Sequence, residues 1–319
     1  MLIRELDYHP LTLWNIPDNR HFFREEGSGL FSYMFVEDIM THIMPYRERS
    51  FSGSKSFQVN ISNPSLETEA KALFHISYGH NPFYQPLSEV IFDFIREVVN
   101  FLLVKGGKAY FEIVEATIQE NETSKSVYVL KPIHGMVVRF GKTYYQVIPK
   151  EVQKVKERYI PVPQSKIWVL EISRDLGRVK DIIALSNNMK ELGKASFLGS
   201  EIVSNQKNLF GFEFNNFSSL IDAAVLRVTH KWGWDMRMGI NNQHALEYYL
   251  YYRKLRFGYS MAILRNDMLS KMNGLLRRLG YDATMSFSGI PTPEELLDVI
   301  KKMEQRQLSF NEAFDMISL

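Results

Sequence analysis

The stretch that decides the fold spans residues 94–114 and reads FIREVVNFLLVKGGKAYFEIV. From Leu87 up to the paired glycines, apolar residues recur every three or four positions, as they do on one face of an amphipathic helix. Gly106 and Gly107 interrupt this period, and the residues after them alternate in the manner of a strand. The stretch therefore predicts an α+β fold in which a long N-terminal helix leads directly into a sheet.

Further strand-like segments follow as far as residue 172. They are rich in β-branched and aromatic residues, and Gly141 with Lys142 has the composition of a hairpin turn between two of them. We expect the whole region to form one antiparallel meander. Its predicted strands are residues 109–115, 126–130, 136–140, 143–148 and 166–172.

The helical period returns after Arg174. We expect helices over residues 178–198 and 218–232, with a loop or short hairpin at 201–216 between them. One long helix is predicted over 247–279, bent near Gly258 and capped by Gly280. The first 65 residues are interrupted by prolines and a Ser/Gly-rich stretch, and we expect one helical patch there, over 33–44.

Two capping boxes mark the last helices. Thr292 is followed by Pro293 and by Glu295 at the third helical position, and Ser309 with Glu312 repeats the arrangement. In such a box the hydroxyl accepts from the N–H of the third helical residue, while the glutamate accepts from the N–H of the cap. The sequence therefore predicts a helical hairpin at the C-terminal end of the chain.

Composition excludes several classes of protein. The 319 residues carry 38 Lys and Arg against 36 Asp and Glu, so a polybasic surface that grips nucleic acid is not expected. The absence of cysteine excludes disulfides, thiolate zinc sites and a cysteine nucleophile. We see no signal peptide and no apolar run near the ~20 residues that a membrane span needs, so we expect a soluble chain with no membrane association.

Motifs of catalytic chemistry are scarce. The sequence holds no phosphate-binding glycine loop, no H-E-x-x-H metal motif and no G-x-S-x-G nucleophile elbow. The best enzymatic candidate is a set of strand carboxylates that a metal-dependent nuclease could use with neighbouring lysines. Ordinary solvent-facing strand carboxylates explain the same pattern. The set comprises Glu112, Glu115 and Glu171, with Lys108 and Lys166 nearby in sequence.

A tyrosine-rich segment opens the long predicted helix. Such a segment beside an arginine could stack on the bases of single-stranded nucleic acid, and it could equally form an interface between subunits. Basic residues elsewhere are dispersed among acids, which favours solvated helix faces. The segment contains Tyr248, Tyr249, Tyr251, Tyr252 and Arg253.

Three stretches, taken in order, resemble the portal (head–tail connector) proteins of tailed bacteriophages. Residues 94–114 are similar to the portal pattern of an apolar helix, a glycine turn and an Ala-Tyr-x-x-Ile strand. Residues 217–242 contain a helix that ends in an aromatic-Gly pair, although Asp235 stands where portals usually have proline. Residues 267–281 precede a predicted strand and the helix start at Ser309, like the end of a portal chain.

The resemblance implies a ring of about 12 identical copies through which double-stranded DNA passes during packaging and ejection. It implies no catalytic step, cofactor or metal in this chain, because the terminase large subunit supplies the motor activity. The other implied partners are the major capsid protein, the scaffold and a tail adaptor protein. The protein would belong to the portal vertex of the virion, and to the host cytoplasm during assembly.

On this resemblance the chain divides into three regions. Residues 1–172 would form a wing- and clip-like region with a helix and the meander, and 173–246 would hold the stem, tunnel-loop and wing helices. Residues 247–319 would form a helical wing- or crown-like region that closes with the hairpin. Two other possibilities stay open, namely the metal-dependent nuclease and a monomeric helical interaction protein.

The expected DNA-channel residues lie in and after the predicted 178–198 helix. A strongly basic wall would bind the duplex and stall it, because each neutralised phosphate releases counterions and tightens binding. A sparse ring of cations with acids between them would let the duplex slide. The candidates are Arg178, Lys180, Lys190, Lys194 and Lys207.

Overall fold

The structure, a computed structural model, describes residues 6–13, 29–44, 57–75, 82–120, 123–150, 152, 157–176, 178–181, 229–234 and 247–316. These ranges combine helices with antiparallel sheets, which confirms the predicted α+β class. The helices are α1 (Gly29–His42), α2 (Glu67–Leu73), α3 (Leu87–Val104), α4 (Glu247–Arg278), α5 (Pro293–Glu304) and α6 (Phe310–Met316). The strands are β1 (Leu6–Tyr8), β2 (Gln58–Ile61), β3 (Lys108–Glu120), β4 (Thr123–Pro132), β5 (Met136–Phe140), β6 (Thr143–Val147), β7 (Tyr159–Pro163), β8 (Ile167–Glu171) and β9 (Met285–Ser288).

Two compact units divide the chain, and each combines segments that are distant in sequence. The sheet unit consists of Met1–His21, Met44–Glu171 and Arg265–Ile290, and it holds all nine described strands. The helical unit consists of Phe22–Ile43, Ile172–Leu264 and Pro291–Leu319. The division at residues 172 and 246 follows chain order instead, and its wing, stem and crown assignments stay a prediction.

The junction between α3 and β3 has the form that the sequence predicts. Gly106 and Gly107 have positive φ angles of 75° and 88°. Their N–H groups donate to the carbonyls of Leu103 (3.2 Å) and Leu102 (2.7 Å), which closes α3 with a Schellman motif. Glycine takes two such conformations in succession without the steric cost of a side chain. The chain can therefore pass from the buried helix into β3 through a short turn.

Strand β3 forms the centre of the larger sheet. One of its edges pairs with β4 over residues 111–120, while the other is shared by β8 at 108–112 and β1 at 116–118. On one face of this sheet the rings of Phe111 and Trp168 lie 5.7 Å apart, and both contact phenylalanine rings of α3. This aromatic layer holds α3 against the sheet.

The expectation of one continuous meander is wrong. Strands β5, β6 and β7 form a separate three-stranded sheet, and β4 does not pair with β5 among the described strands. After β4 ends at Pro132, the chain turns at Gly135, whose φ is 77°. Strand β7 escaped prediction because Pro161 and Pro163 break the strand pattern, and the fold tolerates both because β7 is an edge strand. A further pair, β2 with β9, joins residues distant in sequence.

Helix α4 is continuous over 32 residues, as its periodicity predicts. Gly280 follows its end with a φ of 81° and donates to the carbonyl of Arg277 (3.1 Å), while Tyr281 donates to that of Leu276 (3.0 Å). This Schellman motif confirms the predicted cap. The bend near Gly258 stays a prediction, and the expected helices at 178–198 and 218–232 lie mostly outside the described residues, as does the whole 201–216 loop.

Both predicted capping boxes are confirmed in the helical unit. Thr292 accepts from the N–H of Glu295 (3.2 Å) and donates its own N–H to that carboxylate (2.8 Å). Ser309 and Glu312 make the same exchange at 3.4 and 2.8 Å. Helices α5 and α6 thus form the predicted closing pair. Their core with α4 consists of Tyr251, Leu255, Ala262, Leu296, Val299, Ile300, Met303 and Ala313.

The Trp-Gly-Trp turn packs on α1 in the helical unit. Trp232 and Trp234 are buried, and Phe35 meets their rings edge-on with centroids 5.4 and 5.1 Å away. The indole N–H of Trp234 donates to the Asp38 carboxylate (2.7 Å). Gly233 between them has a φ of 70° and lies against the backbone of α4. The turn is therefore a packing centre of this unit.

Gly233→Ala is expected to destabilise the protein more than Gly141→Ala. A Cβ at residue 233 would lie 2.6 Å from the carbonyl carbon of Arg256, whereas one at Gly141, with φ 59°, meets nothing within 4 Å. Both changes carry a left-handed backbone cost of about 1 kcal/mol. Gly233→Ala should lower the free energy of unfolding by a further ~1–3 kcal/mol, because its Cβ overpacks the site. Thermal unfolding followed by circular dichroism measures both, and equal losses in midpoint temperature would contradict the close approach at Gly233.

Candidate functional site

Two of the five expected channel cations lie in the described chain. Arg178 and Lys180 are both exposed, at the start of a helical segment. The Arg178 guanidinium donates to both carboxylate oxygens of Asp181, at 3.0 and 2.8 Å, and these hydrogen bonds raise its pKa. Lys190, Lys194 and Lys207 lie outside the described residues. The channel assignment therefore stays a prediction, with one of its cations already facing an acid.

The buried carboxylate of Glu112 is hydrogen-bonded to groups of the chain itself. Its carboxylate is 1% exposed and accepts from the N–H groups of Leu11 (2.8 Å) and Thr12 (3.0 Å) and from the Thr12 hydroxyl (2.7 Å). A buried carboxylate needs such donors because it has lost its hydration. Glu112 therefore anchors the segment that precedes Trp14, and it does not point into solvent where a substrate could reach it.

The other members of the carboxylate set lie apart from Glu112. Glu171 is opposite Lys108 in the β3–β8 register and forms an ion pair with it. Glu112 pairs with Ile167 in the same register, so the two carboxylates are separated by four residues, or roughly 13 Å, along the sheet. Glu115 is exposed, as expected for a residue three positions from a buried one. Lys166 is also exposed. Among the described residues, no group of three or more His, Asp or Glu side chains is arranged to hold a metal ion.

Gln146 completes the anchoring of the N-terminal segment. Its side chain, which is fully buried on β6, accepts from the N–H of Leu13 (2.9 Å) and donates to the carbonyls of Leu13 and His134 (both 3.0 Å). Sequence reasoning missed this residue. The available signal was one polar residue at an inward position of a strand that is otherwise apolar on that side.

Three tyrosines of the tyrosine-rich segment pack within the chain. The hydroxyls of Tyr248 and Tyr251 donate to the carbonyls of Met303 (2.7 Å) and Ala313 (3.1 Å). Tyr252 donates to the Glu304 carboxylate (2.6 Å). These three tyrosines bind α5 and α6 to α4, and neither base stacking nor a subunit interface is needed to explain them.

Several basic residues act as internal donors. Arg278 donates to the carbonyls of Gln164 (2.8 Å), Ser165 (2.7 Å) and Ile167 (2.8 Å), which fixes the connection between β7 and β8. Arg253 donates to the carbonyl of Trp234 (2.6 Å). These guanidinium groups are therefore not arranged as a patch for phosphate.

Two lysines of the sheet unit stand against aromatic rings in partly buried positions. Burial lowers the pKa of Lys105 to about 8, and its Nζ lies 5.2 Å from the centre of the Phe101 ring. Burial likewise lowers the pKa of Lys131 to about 8, and its Nζ lies 4.3 Å from the centre of the Tyr8 ring. Burial and the charge of Lys105 lower the pKa of His134. Lys105 and Lys131 therefore lose their charge closer to neutral pH than exposed lysines do.

Comparison of the chain with models of protein families, with curated proteins and with solved structures finds no match. No helix in the described part of the chain is both long enough and apolar enough to cross a membrane.

Glu112→Gln is expected to lower the free energy of unfolding by about 1.5–3 kcal/mol, because the neutral amide offers one acceptor oxygen to three donors. Glu115→Gln, at an exposed position of the same strand, should change it by less than about 0.5 kcal/mol. Urea denaturation measures both values. Equal effects would contradict the anchoring role. Mg²⁺-dependent DNA cleavage that Glu112→Gln abolishes at unchanged stability would favour the nuclease instead.

Lys105→Met is expected to raise the thermal midpoint at pH 7 and to flatten its dependence on pH. The pKa of Lys105 is about 8 when folded and 10.5 ordinarily. Between these values the unfolded chain binds more protons, so stability rises with pH over this window. Lys131 adds a rise of the same sign, so part of the slope should remain.

The control for this change is Lys150→Met, at an exposed lysine. It should leave the profile of midpoint against pH parallel to that of the wild type. Thermal scans between pH 7 and pH 10.5 make the comparison. A Lys105→Met profile that also runs parallel to the wild type would show that this amine does not titrate in the window.

Proposed function

We propose that this chain is a portal-type protein, whose copies close into a ring around double-stranded DNA at a capsid vertex. The observation that carries the proposal is the order of three local structures along the chain. They are the α3–Gly-Gly–β3 junction, the buried Trp-Gly-Trp turn, and α4 closed by Gly280 and followed by β9 and the capped α6. Each occurs in many folds, and their succession in this order supports the portal assignment.

The charge distribution is compatible with DNA that passes without being held. The chain has a net charge of +2, and the guanidinium groups of Arg278 and Arg253 are held by hydrogen bonds to backbone carbonyls. Arg178 is exposed beside Asp181, so the beginning of the proposed channel segment alternates cation and acid. A surface of this kind neutralises few phosphates per copy and releases few counterions, which keeps the duplex mobile.

In this role the chain itself performs no catalytic step. The terminase large subunit would dock on the ring and drive DNA inward, and a tail adaptor would replace it after packaging. Capsid protein and scaffold would surround the ring during assembly. Closure of the ring requires each copy to present one surface to the next copy and a different surface to the previous one.

Negative-stain microscopy and mass photometry of the full-length protein test the ring. The proposal expects annular particles of about 12 copies with a central hole. A monomer that persists over the micromolar range would favour the helical interaction protein. Neither result depends on the channel residues, so the ring and the channel are tested separately.

The channel is tested by changing all five candidate cations to alanine in one variant. Ring formation should be unchanged, because the proposed positions face DNA. In complementation of the parent phage, the amount of packaged DNA retained per particle should change. The variant carries Arg178→Ala, Lys180→Ala, Lys190→Ala, Lys194→Ala and Lys207→Ala.

A control variant removes the same number of charges from exposed positions elsewhere. It should package and retain DNA as the wild type does. If the candidate variant loses ring formation while the control keeps it, the channel assignment is wrong. The control carries Arg96→Ala, Lys150→Ala, Lys166→Ala, Arg277→Ala and Lys301→Ala.

A further inference from the structure

The three-stranded sheet of β5, β6 and β7 has an uncharged outer side. Side chains alternate between the two sides of a strand, and Tyr144, Gln146 and Val162 are buried on the inner side. The outer side consists of three rows of three residues in register. We call these nine residues the apolar face. The rows are Met136, Val147 and Tyr159, then Val138, Tyr145 and Pro161, then Phe140, Thr143 and Pro163.

The apolar face is accessible in the monomer. Phe140 is 81% exposed and Tyr159 56% exposed, and Pro161 and Pro163 are also exposed. The other five residues are partly exposed, and none of the nine is buried. Four of the nine side chains are therefore exposed enough for a partner to contact them directly.

The solvent-facing side of the larger sheet has a different composition from the apolar face. Where β3 and β4 share their outward side, Glu115, Ser124 and Ser126 are exposed, and Tyr128 opposite Glu115 packs against Tyr281. Antiparallel sheets with one side in water normally carry polar residues there. The apolar face departs from that pattern at eight of nine positions, Thr143 being the exception. Contiguous exposed apolar surface is often functional, so this face is a candidate site of association.

The dimensions of the apolar face fit the core of a protein interface. Three strands of five residues cover roughly 15 by 17 Å. That is about a third of the ~800 Å² that each partner buries in a standard interface. Interfaces have an apolar core and a polar rim. Charged residues lie at both ends of the face, with Lys142 in the turn after Phe140, and Glu157 and Arg158 before Tyr159.

We infer that the apolar face is the surface by which one copy of this chain docks on the next. The inference rests on the proposed function, in which every copy must cover a surface of its neighbour. The face carries no charge, so a copy of the same chain meets no like charge on it. The net charge of +2 also permits close approach of copies, because proteins near neutrality associate readily.

Two other occupants fit the face less well. Double-stranded DNA would need cations on the contact surface, and the nine positions have none. A strand added at the edge of β7 would need backbone N–H groups, and Pro161 and Pro163 remove them. The contact is therefore made by side chains of the face, with a protein surface as its partner.

The double variant Phe140→Glu with Tyr159→Glu tests the inference in the full-length protein. Both side chains are already exposed in the monomer. The dissociated variant should therefore have the same thermal midpoint as the wild-type monomer. In mass photometry, association should weaken at least tenfold. The matched control is Tyr84→Glu with Met316→Glu, at positions 52% and 50% exposed, and it should assemble as the wild type does.

The outcomes separate this inference from the proposed function. Rings of the wild type that persist in the face variant would overturn the inference and leave the portal proposal intact. Wild-type dimers that the face variant dissociates would support the face and contradict the ring. A wild type that stays monomeric at all concentrations would overturn the inference, because no copy then covers the face.

A second experiment introduces no charge into the apolar face. The chain has no cysteine, so Phe140→Cys introduces its only thiol. Maleimide labelling of that thiol should slow at least tenfold in the assembled protein relative to the diluted monomer. Tyr84→Cys should label at the same rate in both states. Equal labelling of Phe140→Cys in both states would overturn the inference.

Discussion

A buried carboxylate in the middle of β3 is the constraint around which the sheet unit is organised. Removing a carboxylate from water costs several kcal/mol unless donors replace its hydration. Leu11 and Thr12 supply three donors to Glu112, and Gln146 of β6 holds both backbone groups of the next residue, Leu13. The N-terminal segment and both sheets therefore meet in one hydrogen-bond network. An arrangement that separated them would leave Glu112 or Gln146 buried without partners.

Structural features whose hydrogen-bond partners lie within a few residues of each other were predictable from the sequence. The glycines after α3 and α4 and both capping boxes belong to this class, because the groups they pair lie at most five positions apart. The donors to Glu112 lie about a hundred positions away, so no local pattern indicates that it is buried. The split of the strands into two sheets is hidden for the same reason, and β7 is masked further by its prolines.

The candidate site was predictable to a smaller extent. Exposure of Arg178 and Lys180 follows from the helical pattern, and the partner of Arg178 is only three residues away. The tyrosines of α4 have a composition that suits nucleic acid as well as packing, and only the positions of α5 and α6 decide between these. Side-chain chemistry alone therefore over-predicts binding surfaces, because internal carbonyls are acceptors of the same kind as external ones.

The buried Gln146 also determines which residues form the apolar face. Both sides of β6 are largely apolar, so hydrophobic patterning alone would not fix the register of this sheet. A shift by one residue would turn Gln146 outward and leave the carbonyls of Leu13 and His134 without its amide. Buried polar groups can specify register in this way at some cost in stability. The network that anchors the N-terminal segment therefore selects Tyr145, and not Tyr144, for the surface that a neighbouring copy would meet.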